Sequence, residues 1–495
     1  MKPLRPYAAL LAAAVALSSS GFAQVVVDTT SAYRIVNVNS GLSLSLTGDS
    51  QTAGTVAIQE PAAALQSERW HFVPEGNGEY LIVNLFTGQV LGVSDASLAA
   101  GAAVLDWADN GTPDHLWKVI DEGSGQYKLQ NLNSGLLLGV AGASTAAGAG
   151  TLQWFDNGTP DHLWTLQAAG AAYPDPMPVT VQYSSGDTVG THDPSLIQSF
   201  WGYSLFATHG AIHQHVSVDL RHFYDAGSAL PEVPTWTNAF TANSGDLWAP
   251  DASWRDGKYW LYYAASSFGS DNSAIGLATS VTSLPGSFKD TGGPVITSAA
   301  CPGVNAIDPG VVIEEGGSPW MSFGSFYGGI YIVPLDKKAG QVAAGATCQP
   351  LASRIGNFDA IEGSYIYRHD GYYYLFVSLD FCCQGVNSTY HVGVGRATSV
   401  NGPYYDRGGL PMNQGGVTVL LTAHGRFNGP GGQTVLETER GPLLVYHYYD
   451  GNQNGLPSLG LNYFSWTSDG WPVVNGWPAV DGRLLADGYH TGDSR

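Results

Sequence analysis

The chain has 495 residues and a formal net charge of −21, with 20 Lys and Arg against 41 Asp and Glu. That length admits two or three domains, and the acidic balance, with no basic patch, excludes nucleic acid as a partner. Beyond the N-terminus no run is long and apolar enough to span a bilayer; the charge reads as solubility outside the cell, and the chain is expected to be a monomer.

Residues 1–23 carry Lys2 and Arg5, then a short apolar run, then Gly21, Phe22 and Ala23. This order predicts a secretory signal peptide cleaved after Ala23. The four cysteines, Cys301, Cys348, Cys382 and Cys383, lack the spacing of a metal cluster. In an oxidising compartment Cys301 and Cys348 can pair, while the adjacent Cys382 and Cys383 read equally well as buried free thiols.

From 30 to 168 the chain repeats itself. "RIVNVNSGLSLSL" (34–46), "LIVNLFTGQVLGV" (81–93) and "LQNLNSGLLLGV" (129–140) share one pattern, with Asn37, Asn84 and Asn131 each 47 positions apart. Trp70, Trp117 and Trp164 close the units at the same spacing, and "DNGTPDHLW" recurs in the second and third. Short apolar runs between Gly, Ser and Asn turns predict strands. Units too small to bury a core alone should pack around a threefold axis. The pattern resembles the ricin-type β-trefoil of carbohydrate-binding module family 13. In that family an aromatic stacks on a sugar ring while nearby Asn or Asp binds its hydroxyls. The resemblance implies two sugar sites, Trp107 with Asn110 and Trp154 with Asn157. It leaves unit one without a site, because "VAIQEPA" has no aromatic at that place.

Residues 169–184, rich in Ala, Gly and Pro, read as a linker. The two repeat periods suggest that the domains on either side each own a core. From 185 to 495 five segments begin alike: "HDPSLI", "WAPDASW", "AIDPGVV", "IEGSYIY" and "NGPGGQTVL". Most are followed about ten residues later by a second strand such as "GKYWLYYAAS", which predicts a β-propeller. Asp193, Asp308 and Glu362 stand at the starts of otherwise apolar first strands. A buried unpaired carboxylate is costly. In a propeller, however, first strands line the central channel, so equivalent positions converge there. Three acids brought together raise one another's pKa, which suits acid–base chemistry.

These phrases resemble glycoside hydrolase family 43, most closely its arabinanases, over nearly all of 185–480: "HDPS", "WAPD", "SSFGS", "NAIDP" and "FCC.GVNSTY". The expected fold is therefore all-β, an N-terminal β-trefoil followed by a five-bladed β-propeller. The resemblance implies an inverting endo-acting hydrolase of α-1,5-linked arabinan, a neutral plant cell-wall polysaccharide. Asp193 would be the general base and Glu362 the general acid. Asp308 would tune Glu362 and orient the sugar. Base and acid carboxyls would stand about 6.5–9.5 Å apart. Sugar contacts are implied for Trp248, Phe268, Gly269, Asn305, Ala306, Ile307, Ser325, Phe326 and Tyr327. The family often holds a calcium ion on the axis, for which His447 is the candidate ligand. Relatives with "GPGH" carry a His where this chain has Gly432. The competing expectations are an exo-acting arabinofuranosidase, a β-xylosidase or galactan hydrolase on the same fold, and a non-catalytic lectin. The retained acids speak against the last.

Overall fold

The computed structural model describes residues 26–63, 65–183 and 189–476, and the expected signal peptide lies outside them. The described residues form a twelve-stranded trefoil sheet and five further sheets. Among them no helix is long and apolar enough to cross a membrane.

In the trefoil the first strand, Ser31–Asn37, pairs with the last, Trp164–Ala171. The repeat has a direct physical expression. The indole N–H groups of Trp70, Trp117 and Trp164 donate to the carbonyls of Leu44, Leu91 and Leu138 at 3.1, 2.8 and 3.0 Å. All three rings are fully buried in one core cluster. The repeated Asn37, Asn84 and Asn131 donate from Nδ2 to the carbonyls of Asp161, Ser67 and Asp114. A polar residue survives in each turn because it satisfies backbone that would otherwise be orphaned.

The five sheets are the propeller blades. Their inner strands are Ser195–Ser199, Trp248–Arg255, Gly310–Ile313, Ile361–His369 and Phe427–Thr438. Each inner strand bends left-handed at or near its start: φ is 47° at Asp193, 40° at Ala249, 57° at Asp308, 59° at Gly363 and 58° at Gly432. Left-handed backbone is unfavourable for residues with a Cβ. Its recurrence in every blade marks the face where the acids gather.

Two expectations need correction. The segment 169–184 is not a free spacer. Met177 is buried with Leu196, Leu205, Leu443 and Leu461 of blades one and five, and its N–H donates to the Leu461 carbonyl at 2.8 Å. Thr180–Val181 then adds a parallel strand beside His222–Ser228. Each domain does own a core, the cluster around Trp70, Trp117 and Trp164 being made of trefoil residues alone, but the two also share an apolar contact that was not expected: Val73, Leu81, Val83 and Val90 of the trefoil pack with Val419 of blade four. Repeat periods locate the interior of each unit but say nothing about what its outer face meets. Both cysteine pairs, Cys301–Cys348 and Cys382–Cys383, are bonded, which replaces the free-thiol reading of the second.

Candidate active site

The three acids meet at the inner-strand starts. Asp193 keeps about a fifth of its side chain exposed. Its Oδ2 accepts from His192 Nδ1 at 2.9 Å and from the Thr208 hydroxyl at 2.7 Å. Burial would raise its pKa, but the charge and hydrogen bond of His192, aided by Thr208, hold the carboxyl well below the usual range. His192 is itself fixed, with Nε2 2.8 Å from the Tyr449 hydroxyl and its ring stacked on His447 at 3.9 Å.

Glu362 is 8% exposed. Its Oε2 accepts the Ser325 hydroxyl at 2.6 Å and its Oε1 accepts the Tyr390 hydroxyl. Burial raises its pKa, the two hydrogen bonds oppose this, and the Asp193 charge pushes it further up. Asp308 Oδ2 accepts the Gly363 N–H at 3.0 Å, one residue beyond Glu362. Burial, then the charges of Glu362 and Asp193, push the Asp308 carboxyl up. The cluster therefore holds one carboxyl whose pKa is pushed down and two whose pKa values are pushed up.

The expected sugar-contact residues divide. Phe268 and Tyr327 are 85% and 48% exposed on the rim, where the Tyr327 hydroxyl donates to the Gly269 carbonyl at 3.5 Å. Trp248 and Phe326 are half-buried. Ser325 is turned to Glu362 instead of open space. Asn305, Ala306 and Ile307 are buried. Asn305 Oδ1 accepts the Ser273 hydroxyl at 2.6 Å, and the Ala306 N–H donates to Ser298 Oγ at 3.0 Å. These buried residues hold the chain that carries Asp308. Sequence reasoning missed His192, Thr208 and Tyr390. Two of them stood in quoted phrases, His192 beside the acid in "HDPS" and Tyr390 at the end of "NSTY".

His447 does not fit a direct bond to a metal. Its Nδ1 accepts the Asp193 N–H at 3.1 Å, which places the ring proton of the neutral imidazole on Nε2 and leaves no free lone pair. Burial, then the His192 charge, keep the ring neutral. Gly432 is required here: a Cβ would lie 2.6 Å from Asp193 Oδ1 and 2.8 Å from His447 Nδ1. The "GPGG" departure thus goes with His447 holding the base strand.

The two expected trefoil sites are not equivalent. Trp154 is 40% exposed and Phe155 61%, with rings edge to face at 6.2 Å. Trp107 is half-buried, with Gly54 close against its ring. The Asn110 carbonyl accepts the Gly356 N–H of the propeller at 2.8 Å. Unit two therefore lies at the domain contact, and unit three presents its aromatics openly. Asn110 and Asn157 accept from Thr112 and Thr159 within their own turns, which the sequence did not reveal.

The profile of glycosyl hydrolases family 43 matches residues 188–472, and that of the ricin-type beta-trefoil lectin domain-like family matches 24–107, 66–154 and 113–174. The chain is 39% identical over 311 residues to the extracellular endo-alpha-(1->5)-L-arabinanase 1 of Bacillus subtilis, covering 62% of this chain and 94% of that protein. It is 34% identical over 302 residues to the extracellular exo-alpha-(1->5)-L-arabinofuranosidase ArbA of Cellvibrio japonicus, covering 58% and 87%. Among solved structures, the GH43 endo-arabinanase from Bacillus licheniformis superposes with a TM-score of 0.55 at 42% identity, over 60% of this chain and 99% of that one.

Proposed function

This chain belongs to glycosyl hydrolases family 43, and on that premise we propose that it is a secreted, endo-acting hydrolase of α-1,5-linked arabinan. The observation that carries the reading is the opposed setting of two carboxyls. His192 and Thr208 favour ionised Asp193, whereas burial favours protonated Glu362. Environments that push two acids apart in this way assign base and acid. Asp193 takes a proton from water as that water's oxygen bonds to the anomeric carbon. The glycosidic C–O bond breaks, and Glu362 gives its proton to the leaving oxygen. Asp308 fixes the backbone beside Glu362 by accepting the Gly363 N–H. No step is assigned to a metal.

Secretion is supported by the signal-like residues 1–23, by two disulfides of the kind that persist outside the cell, and by relatives named extracellular. The trefoil supports a polymeric substrate, and the exposed Trp154 and Phe155 are its sugar-facing pair. Digestion of debranched arabinan tests the mode of attack. Early release of oligosaccharides is expected. Arabinose as the sole product from the first time point would instead favour exo action, as in the name of the Cellvibrio relative.

A further inference from the structure

The second trefoil unit departs from its copies at one buried position. The 47-residue repeat makes Gln59, Asp106 and Gln153 equivalent. In units one and three the amide is fully engaged. Gln59 Nε2 donates to the carbonyls of Ser144 and Ala146 at 2.8 and 2.9 Å, and Gln153 Nε2 to those of Ser97 and Ala99 at 2.7 and 2.9 Å. Their Oε1 atoms accept the hydroxyls of Ser40 and Ser134 at 2.7 and 2.6 Å. The repeat puts Thr87 at the place of those serines, and the carbonyls of Ser50 and Thr52 at the place of the accepting pairs. The backbone keeps the repeat here. The Gly54 N–H donates to the Asp106 carbonyl at 2.9 Å, as Gly101 does to Gln153 and Gly148 to Gln59.

Asp106 thus replaces a donor with a shorter side chain that, when ionised, only accepts. It is fully buried; neither carboxylate oxygen makes a hydrogen bond of good geometry, and the Thr87 hydroxyl is the one side-chain donor that acts on it. Gln89 is equally buried, and neither its Oε1 nor its Nε2 is partnered. Leu91 stands directly opposite Asp106, so Gln89, two residues away, shares its face of the strand pair. The Gln89 amide lies against Gly408 of the propeller, whose carbonyl accepts the Ala53 N–H at 3.2 Å. The same loop supplies Asp406, 3% exposed, whose Oδ1 accepts the Leu410 N–H at 2.7 Å while Oδ2 is unpartnered. The adjacent Arg407 is turned to Asp469 and to the Phe86 carbonyl.

We propose that Asp106, Asp406 and Gln89, with the Thr87 hydroxyl and the carbonyls of Ser50 and Thr52, hold a hard divalent cation of the calcium class where the trefoil meets the propeller. The donors are carboxylate, amide, hydroxyl and carbonyl oxygens, the set that calcium takes at flexible coordination numbers. The ion supplies the positive charge that the Gln N–H groups bring to the same carbonyls in the copies. It also compensates two buried carboxylates, each otherwise costly to ionise.

The test is calcium bound per full-length chain by equilibrium dialysis, beside melting temperature in calcium and in chelator. Wild type is expected to bind one ion that Asp106→Gln and Asp406→Asn each lose. Calcium should raise the wild-type melting temperature by at least about 3 °C, and it should do so in neither variant. Asp106→Gln installs the side chain of the other two units and should fold. Should it not fold, Asp406→Asn carries the same comparison. Turnover on soluble arabinan should be unchanged in both. A calcium ion elsewhere in the chain would be retained by both variants and is separated by the count. Equal binding by wild type and variants, or a wild-type melting temperature indifferent to calcium, would overturn the proposal and leave the carboxyls as protonated or water-bridged groups.

Discussion

Asp109 of the trefoil and Arg354 of the propeller form a buried ion pair, with Arg354 Nη2 at 2.9 and 2.8 Å from the two carboxylate oxygens. His391 Nε2 lies 3.0 Å from the same carboxylate, and Arg354 Nη1 lies 2.6 Å from Asp380. Burial would raise the Asp109 pKa, but the Arg354 charge and the His391 hydrogen bond hold it far below the usual range. The segment from Arg354 to Ala360 leads straight into Ile361–His369, the strand bearing Glu362. Domain contact and catalytic strand therefore share one stretch of chain.

Asp109→Ala should lower stability by about 3–5 kcal/mol, because it leaves a buried guanidinium short of a partner. Chemical denaturation measures this. Since folding depresses this pKa, the stabilisation is complete above the unfolded value of 3.8 and is lost as pH falls below it. A propeller fragment starting at 175 should melt below the full chain, since its Val419 and Arg354 would face water.

Glu362→Gln and Asp193→Asn should each lower turnover on arabinan by at least about a hundredfold. On an aryl arabinoside whose leaving group needs no proton, the first should recover and the second should not. Near-full activity of either variant on arabinan would remove its assigned role.

The pH profile of kcat/KM should be bell-shaped. Activity requires ionised Asp193, whose pKa is lowered from 3.8, and protonated Glu362, whose pKa is raised from 4.5. The acid limb should therefore lie below the ordinary carboxylate range and the alkaline limb above it. With the aryl substrate, Glu362→Gln should lose the alkaline limb only.

Trp154→Ala should weaken binding to insoluble polysaccharide in a pull-down, while Trp107→Ala should have the smaller effect, because unit two faces the propeller. Activity on small soluble substrates should stay unchanged in Trp154→Ala. Equal losses in the two pull-downs would mean that unit two also reaches the polymer.

The repeats made both architectures legible, since Trp and Asn at a fixed period and acids at apolar strand starts are consequences of packing and convergence. The acids were readable because a carboxylate among Ala, Ile and Val demands a reason. Their partners were less so. Thr208 reaches Asp193 from just beyond the end of the strand Gly202–Ala207, and nothing local distinguishes it from a surface threonine. Asn305 and Ala306 looked like a sugar-contact phrase, but their burial depends on the neighbouring strands. The domain contact was invisible for a similar reason: Asp109 and Asp156 are equivalent in the repeat, yet one meets Arg354 and the other Lys128.

Docking through Asp109 also changes what a sugar held at unit three would experience. A module on a slack tether raises local polymer concentration over a sphere set by tether length. Here the segment between the domains is packed, and unit two is fixed to the propeller, so Trp154 keeps one distance and one bearing from Glu362. A polymer captured there would be delivered along a single heading, and chain lengths too short to bridge that fixed span should gain nothing from the trefoil.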